Sequence, residues 1–302
     1  MQRGSLARLA ALGLIWGSSF LFIAVGLRGF EPIQIVLGRL AAGAAVLLAV
    51  LALRGKGLPR EPMLWVHMGV MGLLANLLPF LLFAVGEKQV SSGIAGVANA
   101  TTPLWTILLG YLAGKDRRVT WLRVAGIVLG FAGVLIIFSP WESSSQAASW
   151  GGVACLAASA FYGVGFIWQE KYLVGRGYEP AVMMASQLSA ATVLTLVALP
   201  FLGGLKAPEW RLDSVAALLA LGAAGTGAAL VMNYRLVVDE GPAVASLTTY
   251  LAPIVAVTLG ALALGEDLSP QIVLGAAIVL GSVALIRRQP AVSRSLPVKS
   301  RA

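Results

Sequence analysis

Few groups in this sequence can do polar chemistry inside apolar surroundings. They are the amides Asn76, Asn99, Asn233 and Gln187, the guanidinium Arg39, and the carbonyls that prolines set free. A proline in a helix interior cannot donate its own hydrogen bond and clashes with the carbonyl four residues back. Pro79, Pro103 and Pro253 therefore free the carbonyls of Ala75, Asn99 and Thr249. Hydroxyls and aromatic rings fall on the same helical faces. Asn99, Thr102 and Pro103 lie together, as do Asn76, Phe80 and Phe83, then Thr226 and Asn233, then Tyr250 and Pro253. Trp16, Phe20, Tyr162 and Trp168 add ring surface able to stack on a ligand. Such a set binds small neutral or zwitterionic molecules. It lacks the several cations a strongly anionic ligand would need. With one His, one Cys and no carboxylate in the middle of an apolar run, neither a nucleophile–base set nor a metal centre is expected. No phosphate-binding glycine loop of the GxxxxGK[ST] type occurs, so neither bound nucleotide nor any other cofactor is expected.

The elements that position these groups must be membrane helices. Apolar residues make up 58% of the chain and charged residues 12%, too few charges to cover a soluble surface. The apolar runs divide into ten spans, at 6–26, 32–52, 64–85, 91–112, 120–139, 150–172, 180–202, 213–236, 242–264 and 269–287. In lipid each must be helical to satisfy its own backbone. Arg39 and Gln187 both sit inside spans, Arg39 about two turns from a helix end. As a polar group in hydrocarbon, Arg39 either pairs with a substrate carboxylate or clamps freed carbonyls. The net charge of +9 reflects loops that collect Lys and Arg rather than a nucleic-acid partner. With the N-terminus inside, 17 of the 22 basic residues fall on the cytoplasmic side and four outside. Both termini are then cytoplasmic, with the chain in a bacterial inner membrane.

The phrase RGFEP at 28–32 returns as RGYEP at 176–180, with five spans between equivalent points. Five is odd, so the two copies lie on opposite faces of the membrane. Trp16-Gly17 matches Tyr162-Gly163, Pro103 matches Pro253, and IVLG occurs at 127 and at 278. This is an inverted-topology repeat. Residues 1–141 form the first five-helix half and 142–288 the second; 289–302 form a basic tail expected to be disordered. Inverted repeats point to transport, because two related halves can exchange conformations and open either side in turn.

The order of these motifs resembles the drug/metabolite transporter superfamily, EamA-type branch, in its ten-helix form. The residues that carry the resemblance are WGSSF at 16–20, the Pro32 to Arg39 spacing, and APIVAVTLGALALGED at 252–267. It implies a secondary transporter, most similar to bacterial exporters of amino acids, including aromatic ones. Aromatic amino acids, Met or Thr are the expected cargo. A passive channel or scramblase-like pore is the alternative, and a membrane-embedded enzyme a remote one. Partners are then a small-molecule substrate and the lipid bilayer, with the protein a monomer or weak homodimer. Asn76, Phe80, Phe83, Asn99, Thr102, Tyr162, Thr226, Asn233 and Tyr250 are expected to line a midplane cavity with the other aromatics. Pro79, Pro103 and Pro253 are expected to let helix pairs gate it.

Overall fold

The computed structural model describes residues 3–114, 121–139, 149–174, 176–240 and 248–287. Among the described residues every regular element is helical. The elements are α1 (Arg3–Gly26), α2 (Pro32–Leu53), α3 (Pro62–Gly72), α4 (Leu78–Gly86), α5 (Ser92–Ala100), α6 (Thr102–Leu112), α7 (Trp121–Phe138), α8 (Trp150–Tyr172), α9 (Pro180–Ala198), α10 (Leu212–Leu219), α11 (Ala229–Glu240), α12 (Thr248–Leu264) and α13 (Pro270–Arg287). These helices fall on every expected span. Six stretches are long and apolar enough to cross a membrane, and 124–137, 251–264 and 270–282 are shorter apolar helices. The boundary placed at 141/142 and the tail 289–302 lie outside the described residues.

Prolines at the first helical position open α2, α3, α9 and α13, where their missing N–H is no loss. Ser91 and Ser149 cap α5 and α8 by accepting from the backbone N–H of Ile94 and Gly152.

Two segments depart from regular α-helix. Residues Leu73–Leu77 join α3 to α4 as a π-helical turn, and Ala220–Ala228 join α10 to α11 in the same way. The first precedes Pro79, whose lost hydrogen bond the wider turn absorbs. The second contains no proline; its run ALGAAGTGA is built of small residues.

Helices pair in a reciprocal pattern. The partners are α1 with α12, α8 with α5 and α6, α2 with the Ala220–Ala228 turn, α9 with α3, α4 with α8, and α1 with α10 and α11. Three pairings, α2 with α9, α5 with α12 and α7 with α13, complete the set. Close approaches depend on glycine. A Cβ on Gly133 would lie 3.0 Å from the Gly275 carbonyl, and one on Gly275 would lie 2.7 Å from that of Gly133.

The repeated phrase has a matching job in each copy. Glu31 precedes α2 and binds Lys88 and Lys206, while Arg28 meets Asp213 at the start of α10. Glu179 precedes α9 and binds Lys56, while Arg176 meets Glu61 at the start of α3. Each phrase thus ties the turns at one end of the bundle. At the Glu31 end the ties extend further. Gln34 donates to the carbonyls of Gly204 and Lys206, and the backbone N–H of Glu209 donates to the Gly29 carbonyl. Hydrogen bonds from Lys206 and Lys88 hold the Glu31 carboxyl below its usual range. The tie is therefore complete above the ordinary carboxylate pKa and is lost only as pH falls through the lowered value.

Candidate functional site

The polar groups come together between α2, α9 and the two π-helical turns. Arg39 is buried in α2. Its Nε donates to the Thr226 hydroxyl at 3.0 Å, and its guanidinium lies 3.8 Å from the centre of the Phe80 ring. Thr226 in turn donates to the Leu221 carbonyl five residues back, at 3.0 Å. That spacing is what a π-helical turn opens, so the irregular segment both positions and satisfies the hydroxyl that receives Arg39. On the other side Gln187 of α9 donates to the Asn76 side-chain carbonyl at 2.7 Å. Asn76 lies in the Leu73–Leu77 turn. The two pairs correspond in sequence: Arg39 to Gln187 is a step of 148 residues, and Asn76 to Thr226 a step of 150.

One aromatic ring, Phe80, lies against Arg39, and a chain of ring contacts runs through Phe83 of the same helix. Phe80 carries the guanidinium, Phe20 meets Phe83 edge-on at 5.4 Å, and Tyr162 lies 6.2 Å from Phe83. The result is a buried cationic group seated on a π-face. It suits a small molecule that joins a carboxylate to an apolar or aromatic body.

Other expected residues sit elsewhere or are otherwise engaged. Trp16 donates its indole N–H to the Gly225 carbonyl at 3.2 Å, which ties α1 to the Ala220–Ala228 turn. Trp168 stands apart from the cluster. It packs against His67 and Tyr172 between α3 and α8, its indole nitrogen buried without a partner among the described residues. The Thr102 hydroxyl donates to the Asn99 carbonyl at 2.8 Å, the carbonyl that Pro103 denies its usual donor. Asn99 and Asn233 are half-buried. Tyr250 belongs to α12, and its side chain lies outside the described residues.

The three prolines act differently. Pro103 follows a break at Thr101 that divides α5 from α6. At that break the Ala98 carbonyl accepts from the Thr101 N–H, the Thr101 hydroxyl and the Ser159 hydroxyl. Pro79 follows the π-helical turn, and Pro253 lies inside the unbroken α12. Replacing Pro103 by Ala should lower transport several-fold with folding intact, since Ala restores an N–H. Pro253→Ala should do less, because α12 already runs continuously through that point. Parallel transport assays and thermal melts of the two variants check this, and an effect of Pro253→Ala equal to that of Pro103→Ala contradicts it.

A cleft opens at the end bearing Lys56, between α2, α9 and α11. It is lined by Leu47, Arg54, Ala181, Met184, Leu230 and Arg235. Its lining residues on α2 and α9 share those helices with Arg39 and Gln187 of the cluster. Leu47 is eight residues, about 12 Å, along α2 from Arg39, and Leu230 is one turn from Thr226.

Sequence reasoning missed one functional-looking group. Glu87 follows α4 and reads as a loop residue, but its side chain turns inward. Both carboxylate oxygens are shut off from solvent and have no hydrogen-bond partner among the described residues. Burial and the nearby charge of Glu266 push its carboxyl well above the usual carboxylate range, opposed in part by Arg39. The signal in the sequence is faint: Gly86 before it, and Gly151 and Cys155 on the helix that covers it.

The model of the EamA-like transporter family matches twice, over residues 5–139 and 149–288. An Escherichia coli (strain K12) protein described as "Uncharacterized inner membrane transporter YedA" is 32% identical over 286 residues, covering 92% of this chain and 89% of that one. "Uncharacterized transporter YdfC" of Bacillus subtilis (strain 168) is 27% identical, covering 89% and 86%. A Streptantibioticus cattleyicolor protein described as "Probable terminal-alkyne amino-acid exporter" is 28% identical, covering 91% and 90%. A solved crystal structure shares the fold with a TM-score of 0.63 at 20% identity, over 95% of this chain and 98% of that one. Two matches to one family model that together span nearly the whole chain, on an all-helical apolar frame, place it in the EamA-like transporter family: it is a membrane transporter and not an enzyme.

Proposed function

We propose that the protein is a secondary exporter of small zwitterionic metabolites, with amino acids bearing an apolar or aromatic side chain as its substrates. The observation that carries this is the buried Arg39 guanidinium seated on Phe80, whose helix also bears Phe83 in contact with Phe20 and Tyr162. Its Nε is committed to Thr226, which fixes the planar group and leaves its fork to receive a carboxylate. The rings then receive the side chain. The relative described as an amino-acid exporter is in keeping with this reading.

Transport proceeds by alternating access between two halves of opposite orientation, across ten helices. What supports this is the reciprocal helix pairing, the matched pairs Arg39–Thr226 and Gln187–Asn76, and the two phrases that tie opposite ends. The Glu31 end is the outer one by the distribution of Lys and Arg, and its turns are joined in this structure. The cleft between Arg54 and Arg235 then faces the cytoplasm, the side from which an exporter loads.

Purified protein in liposomes, loaded with unlabelled amino acids and given labelled ones outside, tests this. Saturable uptake of an aromatic or Met substrate, accelerated by unlabelled substrate on the opposite side, is expected. Transport of phosphate esters without transport of amino acids would overturn the substrate class. Uptake that neither saturates nor responds to the opposite side would make it a pore.

A further inference from the structure

Two carboxylates meet at the Glu31 end in very different surroundings. Glu266, in the turn between α12 and α13, has donors for both of its oxygens. It accepts from the Ser92 N–H at 2.7 Å, the Ser92 hydroxyl at 3.0 Å and the Gly93 N–H at 3.1 Å. These donors open α5, whose N-terminal partial charge also favours a negative group. Glu87 has no donor for either oxygen among the described residues. The groups that act on it from its surroundings are Glu266, Arg39 of α2 and Cys155 of α8. Of the other described charges at this end, Glu31 pairs with Lys88 and Lys206, and Asp213 with Arg28 and Arg211, while Glu209 and Asp267 are also present. Gln89 is occupied too, accepting from the Gly151 N–H at 3.0 Å.

Where two carboxyl groups sit in such unequal settings, one stays ionised and the other keeps the proton. Here the carboxyl without donors is Glu87, and it is the one that keeps the proton. An ionised Glu87 could not be sealed in this way, since burying an unpaired carboxylate costs far more than the turns around it can return. Once the Glu31 end parts, Glu87 faces water and can ionise.

We propose that Glu87 is a proton-binding site of the transport cycle: the Glu31 end closes over it only when its carboxyl carries a proton. Each closure then takes up one proton at that carboxyl, and each opening frees it to leave. The pH on the Glu31 side therefore acts directly on the closing step. The proposal rests on the chain cycling between an open and a closed Glu31 end, and does not depend on which substrate is carried.

The protein supplies its own reporter. Cys155 is the sole cysteine of the chain, fully buried, and a Cβ on Gly86, next to Glu87, would lie 2.5 Å from its sulfur. Alkylation of Cys155 by a small water-soluble thiol reagent reads the opening of this end. It is measured across pH in the wild type and in Glu87→Gln, with unfolded protein correcting for the thiol's own titration. In the wild type the corrected rate should rise with pH, by at most about tenfold per pH unit, the limit for one proton. In Glu87→Gln, permanently neutral and of the same size, it should stay low and flat. Glu87→Asp keeps a titrating group and should again rise with pH. In liposomes, Glu87→Gln should slow transport and remove its dependence on the pH at the Glu31 side.

Identical corrected rates for wild type and Glu87→Gln at every pH would overturn the proposal. So would a Glu87→Gln protein alkylated faster than wild type in acid, which would make Glu87 an anionic partner, for instance of a substrate ammonium. If Glu87→Gln does not fold, the wild type and Glu87→Asp decide: a rate independent of pH in both refutes the proton site. Failure of the amino-acid panel would leave these results untouched, so the two readings fall separately.

Discussion

Arg39→Met is expected to abolish most transport while leaving the protein as stable as before, or more so. Arg39 is a buried cation whose contacts are one hydroxyl and one aromatic ring. The ring contact returns about 2 kcal/mol when desolvated. A charge placed at this depth costs about 3 kcal/mol on insertion scales, before any gain from partners. Exchanging a buried charge for an apolar side chain of similar volume is often neutral or stabilising. Thr226 is not orphaned by the exchange, because its hydroxyl still donates to the Leu221 carbonyl. On the transport side, a charge-assisted hydrogen bond to a substrate carboxylate is worth about 1.5–3 kcal/mol, which is about ten- to a hundredfold in affinity. Arg39→Lys should fall between, since a single ammonium cannot donate to Thr226 and lie over Phe80 at once. Substrate titrations and thermal melts of the three proteins separate the readings. If Arg39 is only a structural clamp, Arg39→Met will melt lower and transport will fall no further than the folded fraction does.

How much of this site could be read from the sequence depends on what makes each part. The helices were legible because lipid demands long apolar runs, and Pro32, Pro62, Pro180 and Pro270 mark where four of them start. The repeat was legible as words, and Arg39 and Gln187 could be matched by their spacing. That each would bond to a residue of a helix from the other half, Thr226 or Asn76, could not be read. It depends on how α2 and α9 pack, which no local pattern encodes. The π-helical turn at Leu73–Leu77 had a visible cause in Pro79, but the one at Ala220–Ala228 had none beyond its small residues. Trp168 shared its helix with Tyr162 and was placed with the cluster, yet it is six residues further along α8 and packs instead against His67 and Tyr172. Glu87 was misjudged for a related reason. Its position at the edge of a run fixed its distance along the helix, while the direction of its side chain came from the way α4 closes on α8.

That closure makes the second large prediction. Gly86→Val should prevent the protein from accumulating in folded form, and Gly86→Ala should lower its melting temperature by several degrees. A Cβ on Gly86 would lie 2.5 Å from the Cys155 sulfur and 2.8 Å from the Gly151 carbonyl. The contact is reciprocal, since a Cβ on Gly151 would lie 2.6 Å from the Gly86 carbonyl. Backbone faces backbone there, so the usual escape of a flexible side chain turning aside is closed. One added methyl must push α4 away from α8, at a cost of about 1–3 kcal/mol for overpacking, and a branched side chain more. The same displacement should uncover Cys155, so the fraction of Gly86→Ala that does fold should be alkylated faster than wild type. Gly69→Ala and Gly281→Ala are the controls, because a Cβ at either position meets nothing within 4 Å. Those two should melt with the wild type or slightly above it, since Ala is the better helix former by about 1 kcal/mol. If Gly86→Ala melts with these controls, α4 and α8 do not approach this closely, and the enclosure of Glu87 by α8 goes with them.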